Sequence, residues 1–279
     1  MSHPLPFRQI GDFQITALSD GAMSASLELL SGIEQADAEA IQQSAGIADP
    51  GDIHINCYLI RGRGRVILVD AGAGPHNNAG GQLHVNLAAA GVSPDDVDTI
   101  LLTHCHPDHI GGLLDREKQP FFKHAEIMLH PLEAQYWQDD EKLSMANARG
   151  QRNFKLARQT LNAYAQKMRF FNGDKIADAI LPVALPGHTP GHTGFRIDAD
   201  GQCLLIWGDI VHYPHIQSAH PNVSILFDTD PVQAEETRKN ILEHAVSKKM
   251  LIAGMHVGQA GFARILRAGN GYRMSWSEQ

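Results

Sequence analysis

The run Thr103-His104-Cys105-His106-Pro107-Asp108-His109-Ile110-Gly111-Gly112 constrains this chain more than any other stretch of it. Three imidazoles and a carboxylate crowd into it directly after the strand-like Thr99-Ile100-Leu101-Leu102. Imidazole suits divalent transition metals, and an added carboxylate extends the site towards harder ions. In extended backbone, side chains two apart share a face, so His104 and His106 can take one metal together. Past the turn at Pro107, Asp108 and His109 can face a second metal. Glycines at 111 and 112 let the chain pass close by without a side chain in the way. The pattern is that of a metal site at the end of a strand.

Such a site needs further ligands from elsewhere in the chain. Three segments offer them, each at the end of an apolar strand. They are Pro186-Gly187-His188-Thr189-Pro190-Gly191-His192 after Val183–Leu185, Trp207-Gly208-Asp209 after Cys203, and Gly254-Met255-His256 after Leu251–Ala253. A lone histidine in a loop is more often structural, so each segment alone is weak evidence. Their order and context together are specific.

With these motifs in place the chain resembles the metallo-β-lactamase superfamily, over nearly its whole length. The resemblance implies a single α/β domain, 1–279, built as a four-layer αββα sandwich with metals at one edge of the sheets. It implies that His104, His106 and His188 hold one ion, that Asp108, His109 and His256 hold the other, and that Asp209 bridges both. Two divalent ions, zinc first with manganese, iron or cobalt as alternatives, are the expected cofactors. Such a pair, roughly 3.5–4 Å apart, activates a bridging hydroxide as nucleophile. Asp108 and Asp209 are then the expected catalytic carboxylates, orienting it and passing on its proton. His192 is not a usual ligand of the family and is read as supporting.

The opening Gly11-Asp12-Phe13-Gln14-Ile15-Thr16-Ala17-Leu18-Ser19-Asp20-Gly21 and the ending Gly261-Phe262-Ala263-Arg264-Ile265 through Gly271-Tyr272-Arg273 are similar to the methyl parathion hydrolase and lactonase subgroup. That subgroup divides between phosphotriesters and lactones or aryl esters. His212, Tyr213, Ile225 and Phe227 are the expected substrate-pocket residues, and an imidazole at 212 with an aromatic at 227 favours a planar carbonyl. The expected activity is hydrolysis of lactones or aryl esters, with promiscuous phosphotriesterase activity. The alternatives are a dedicated organophosphate hydrolase and a metal-bearing sensor without turnover.

Composition narrows the partners. A formal charge of −8 and the lack of a basic patch argue against a nucleic-acid backbone and for a small-molecule substrate. Three cysteines, Cys57, Cys105 and Cys203, show no paired spacing and fit a reduced compartment. Met1 to Gly11 has no apolar leader core, and no run reaches membrane-spanning length. A cytoplasmic enzyme without membrane contact is expected, with a homodimer as in related enzymes.

Periodicity predicts strands at 13–18, 55–60, 65–70, 126–129, 183–185, 194–197, 203–207, 251–253, 262–266 and 272–276. Helices are predicted at 36–44, 82–90, 131–138, 153–168 and from Asp230 to Ala245. The segment 23–53 is irregular and reads as a cover for the site. Strands and helices alternate twice, once in each half, which suits a sheet sandwich with helices outside.

Overall fold

A computed structural model describes residues 5–74 and 79–276. Residues 1–4, 75–78 and 277–279 of the expected 1–279 unit, the first four of them part of the segment read for a leader, lie outside that description.

The first half begins with β1 (Phe7–Ile10), β2 (Phe13–Ser24), the two-residue β3 (Leu30–Ser31) and α1 (Gln35–Ser44). It continues through β4 (Asp52–Gly62), β5 (Arg65–Val69), α2 (Leu83–Ala89), β6 (Thr99–Leu101), α3 (Pro107–Ile110) and β7 (Glu126–Leu129). Three helices, α4 (Pro131–Gln138), α5 (Asp140–Met145) and α6 (Ala148–Ala163), lead to β8 (Met168–Phe170). The second half runs β9 (Ile180–Ala184), β10 (Thr193–Ala199), β11 (Gln202–Ile206), α7 (Pro214–Ala219) and β12 (Ser224–Ile225). It ends with α8 (Pro231–Ser247), β13 (Leu251–Ala253), β14 (Phe262–Ala268) and β15 (Gly271–Trp276).

Seven strands form one sheet, in the order β1-β2-β4-β5-β6-β7-β8, and six form another, β15-β14-β13-β11-β10-β9. Side-chain alternation shows why the sheets stack. On β4 and β5, Tyr58, Ile60, Ile67 and Val69 enter the same apolar cluster as Phe195, Ile197, Leu204 and Ile206 of the second sheet. Their neighbours Cys57, Leu59 and Leu68 point the other way, into a cluster with Leu83 and Leu87 of α2 and Phe154 and Leu161 of α6. The outer face of the second sheet does likewise, with Leu205 packing among Leu242 and Ala245 of α8. Strands covered on both faces read as unbroken apolar runs, as these do. Each fully buried Leu, Ile or Phe contributes about 1.5–3 kcal/mol. The result is the αββα sandwich.

Local chemistry places the turns and caps. The Arg/Gly turn between β4 and β5 is a two-residue hairpin with positive φ at Arg63 and Gly64, the backbone twist that matches antiparallel strands. Ser93 and Asp96 form a capping box, and Asp230 caps α8 by accepting from the Gln233 N–H at 3.0 Å.

Several boundaries differ from the periodicity. α6 starts at Ala148, capped by Asn147, and stops at Ala163, so Met168 belongs to a strand. Both β1 and β8 escaped the reading because they are short edge strands; Phe7 and Phe170 are about half exposed, which breaks the alternation. The segment 23–53 is packed through Leu27, Leu30, Ala38 and Ile53 against Tyr213, Ile216 and Val223. It is a wall of the second-half loops.

β6 carries the histidine motif, while β9, β11 and β13 carry the other three candidate segments. In the second sheet β9 and β11 are each antiparallel to β10, and β11 is parallel to β13. All three therefore end at one edge, where their following loops meet. A bond from the Thr193 N–H to the Thr103 carbonyl (2.9 Å) ties that edge to the loop after β6.

Candidate metal centre

The loops after β6, β9, β11 and β13 bring all seven sequence-predicted ligands together. His104 and His106 precede α3, and Pro107 at its first position turns the chain so that Asp108 and His109 follow on a helical arc. Ligand atoms of His104, His106 and His188 lie within 4.8 Å of one another, as do those of Asp108, His109, Asp209 and His256.

The geometry within each group is that of a cation site. His106 Nδ1 lies 3.0 Å from His104 Nε2 and 2.9 Å from His188 Nε2. The opposite nitrogens are engaged elsewhere: His104 Nδ1 donates to Thr103 Oγ1 at 3.0 Å and His188 Nδ1 to Asp228 Oδ1 at 2.8 Å. Those bonds leave the Nε2 lone pairs facing inward with no donor between them, an arrangement that a shared cation satisfies. In the second group, His109 Nδ1 donates to Asp70 Oδ2 (2.7 Å) and His256 Nδ1 to the His54 carbonyl (2.7 Å). Their Nε2 atoms each approach Asp209 Oδ2 to 3.2 Å.

Asp209 Oδ2 joins the two groups. Besides those contacts it lies 3.4 Å from His188 Nε2, 3.7 Å from His104 Nε2 and 3.3 Å from His212 Nε2. The other carboxylate oxygen, Oδ1, is buried without a partner, as is His109 Nε2. Orphaned buried polar atoms are costly unless something meets them. Burial works against charge on His109, but the carboxylates of Asp209, Asp108 and Asp70 outweigh it and raise its pKa well above the ordinary value. A negative field able to hold a proton on a buried imidazole suits a divalent ion. The residues fit two metal ions.

Supporting residues that the sequence reading did not single out fix this geometry. Asp70, at the end of β5, has a left-handed backbone (φ 56°), tolerated by a short polar side chain. That twist turns its carboxylate onto the Thr103 N–H (2.8 Å), the Thr103 hydroxyl (2.6 Å) and His109. Gly111 and Gly112 serve this same crossing: a Cβ at either would lie about 2 Å from the carbonyl of Ala73 or Ala71. They admit the Asp70 loop, where the sequence had suggested passage beside the metals.

Glu133 on α4 is fully buried and accepts four bonds. Its donors are the Cys105 N–H (2.9 Å), Trp137 Nε1 (2.7 Å), the Thr189 hydroxyl (2.7 Å) and the Gly191 N–H (3.2 Å). One carboxylate thus joins the loop of His104 and His106 to that of His188. Trp137 turns inward and meets His106 edge to face, with centroids 5.5 Å apart. Asp228, which orients His188, faces the buried Arg238 at 3.5 Å. Arg238 also donates to the carbonyls of Ile210, Pro221 and Val223. The only sequence signals for these groups were an acid at a strand end (Asp70) and an acid four residues before a tryptophan (Glu133).

The four expected pocket residues separate. His212 is 1% exposed, and neither ring nitrogen has a hydrogen-bond partner. Burial brings its pKa down to about 4 although Asp209 opposes the shift. Its backbone N–H and that of Tyr213 are held by Gln217 Oε1 at 2.6 and 3.2 Å, and the Gln217 amide donates to the Val223 carbonyl. Phe227 meets the His212 ring at 6.0 Å. Tyr213 and Ile225 instead pack into the apolar cluster of Leu27, Leu30 and Ile53. The Tyr213 hydroxyl donates to the Ala25 carbonyl at 2.9 Å, so it points away from the metal ligands. The backbone that brings His212 in sends Tyr213 out.

Comparison with known proteins agrees with this geometry. The metallo-beta-lactamase superfamily model matches residues 50–256. AbOPH, a hydrolase in the beta lactamase superfamily, superposes with a TM-score of 0.91 at 29% identity, over 100% of this chain and 99% of that one. AidC, a dizinc quorum-quenching lactonase solved in complex with a product, gives 0.93 at 26% identity, over 99% and 98%. Ribonuclease Z of Mycobacterium avium (strain 104) is 44% identical over 57 residues, which make up 20% of this chain. The match spans only 18% of that curated relative's length. No described helix is long and apolar enough to cross a membrane. The chain belongs to the metallo-beta-lactamase superfamily, as a metal-dependent hydrolase with a His/Asp centre for two ions.

Proposed function

We propose that this hydrolase opens lactones or cleaves aryl esters. His104, His106 and His188 hold one ion, Asp108, His109 and His256 the other, and Asp209 is shared between them. Zinc is the first choice, because a donor set of imidazoles and two carboxylates suits a borderline ion. When bound, the pair supplies an acidified water at neutral pH and Lewis acidity towards a carbonyl oxygen.

The chain's own residues supply the rest. The Asp108 side chain keeps 15% of its surface exposed, so it can orient the attacking water and carry its proton outward. His212 carries the choice of substrate. It is buried beside Asp209, its pKa lies below neutrality, and both nitrogens lack partners. A neutral imidazole there can donate a hydrogen bond to a carbonyl oxygen or a departing alkoxide. Phe227 beside it offers a flat aromatic face, which suits a planar carbonyl better than a tetrahedral phosphorus. The lactonase activity named for AidC supports the same reading.

Phosphotriesters are the second reading, since the same centre can polarise a phosphoryl oxygen. A panel of one lactone, one aryl ester and one phosphotriester, run on protein of measured metal content, tests both. Turnover of the phosphotriester alone would replace the first reading with the second. Turnover of none would leave a metal-bearing sensor.

A further inference from the structure

Arg149 stands at the second position of α6, a helix capped by Asn147. Its guanidinium carbon sits 3.9 Å from the centroid of the Phe227 ring. The same ring meets His212, whose Nε2 is 3.3 Å from the shared oxygen of Asp209. One aromatic ring therefore separates a cation from the edge of the metal centre. Burial lowers the Arg149 pKa, while the charge of Asp108 opposes that shift, which puts the guanidinium within electrostatic reach of the ligands.

Arg149 is exposed, and among the described residues its guanidinium makes no hydrogen bond and no ion pair, resting on Phe227 alone. The less exposed arginines behave differently. Arg65 and Arg158 donate to Asp98 and Asp140, and Arg238 to three carbonyls and Asp228. A guanidinium stacked by its face keeps its N–H donors in its own plane, at the edges, where a carboxylate can take two of them at once. Nearby Arg152 adds a charge of the same sign, in a chain whose net charge is −8. The spot is a local positive exception, an exposed guanidinium on the Phe227 ring with N–H donors open to a ligand.

We propose that Arg149, held against Phe227, binds a carboxylate that the substrate carries outside its scissile bond. The inference rests on the ester or lactone reading. Hydrolysis creates one carboxylate at the metal centre, and Arg149 lies one ring beyond it, so the group it recognises is a second one. The preferred substrates are then acidic half-esters or carboxylated lactones, with the charge a few bonds from the reacting carbonyl.

The test compares mono-4-nitrophenyl glutarate with its methyl ester, which has the same acyl chain without the charge. Wild type, Arg149→Met and Arg149→Lys are assayed at equal metal loading. In wild type kcat/KM should favour the charged ester at least tenfold. That ratio should fall about tenfold or more in Arg149→Met, in line with the loss of a bidentate ion pair, and only partly in Arg149→Lys. Wild type without a charge preference, or a ratio unmoved by Arg149→Met, overturns the proposal. If neither ester turns over, the ester reading fails by itself and calorimetry decides the site. Tenfold weaker binding of glutarate to metal-loaded Arg149→Met than to wild type supports it; equal or undetectable binding in both overturns it.

Discussion

The Nε2 atom of His192 accepts the backbone N–H of Asp209 at 2.9 Å, while its Nδ1 donates to the Leu185 carbonyl at 2.8 Å. The ring thereby spans from the end of β9 to the backbone of Asp209, and neither of its nitrogens is left for an ion. Gly208 makes room for it: a Cβ there, at φ 60°, would lie 2.3 Å from His192 Nε2. An imidazole that accepts at one nitrogen and donates at the other has to be neutral.

The first prediction concerns pH. Burial, then the neighbouring His188, holds the His192 pKa down to about 3, against about 6.5 in an unfolded chain. The unfolded state thus binds the extra proton first, so stability falls as pH drops from about 6.5 towards 3. In metal-free protein, His192→Gln should flatten the dependence of Tm on pH across that window. An unchanged slope would remove His192 from the account.

Asp209→Ala should empty both positions. A carboxylate shared between two cations offsets their mutual repulsion, so its loss weakens each. Elemental analysis of purified protein is expected to fall from two ions per chain to well below one. Retention of one tight ion would mean that Asp209 serves a single position.

Glu133→Gln keeps the shape of the side chain but turns an NH2 group towards two of four donors. The expected cost is about 1–3 kcal/mol for the buried groups left unmatched. Metal affinity should fall about 10–100-fold, because the loops of His104, His106 and His188 lose their common anchor. Denaturant melts with and without metal measure both effects. A drop in stability with unaltered metal affinity would make Glu133 a packing residue only.

Asp108→Asn should lower kcat and kcat/KM together, by roughly a hundredfold or more, if the carboxylate orients the water. Steady-state kinetics at constant metal occupancy give the answer. A rise in KM with kcat near wild type contradicts the role.

His212→Leu should shift substrate choice. Lactone and aryl-ester turnover should drop about 10–200-fold as a polar contact disappears, while phosphotriester turnover holds or rises. Measuring kcat/KM for one substrate of each kind separates the outcomes. Parallel loss of both would make His212 a support of the metal centre.

The meeting of the seven candidate ligands was legible in the sequence because metal chemistry dictates residue type, and strand ends dictate where such residues meet. Layering was legible too, since β4, β5 and β11 are apolar on both faces. Asp70, Glu133 and Asp228 were not, for a physical reason. Apart from the Glu133–Trp137 pair, each acts through hydrogen bonds to backbone or rings distant in sequence, and such partners leave no local spacing to read. Pocket residues fared between these extremes. The family resemblance placed both 212 and 213 in the loop after Asp209, but the Gln217 clamp on both N–H groups holds the backbone that turns His212 towards Asp209 and Tyr213 towards Ala25.

That clamp, together with Arg238 on the carbonyls of Ile210, Pro221 and Val223, has a consequence for how the enzyme can change. The loop from 210 to 223 is held by its main chain, through two side chains that belong to neither the metal ligands nor the pocket wall. Residue 212 can then be exchanged with those main-chain anchors intact. Under the proposed reading, substrate choice at His212 is a separable module, open to laboratory evolution without re-engineering the metal site.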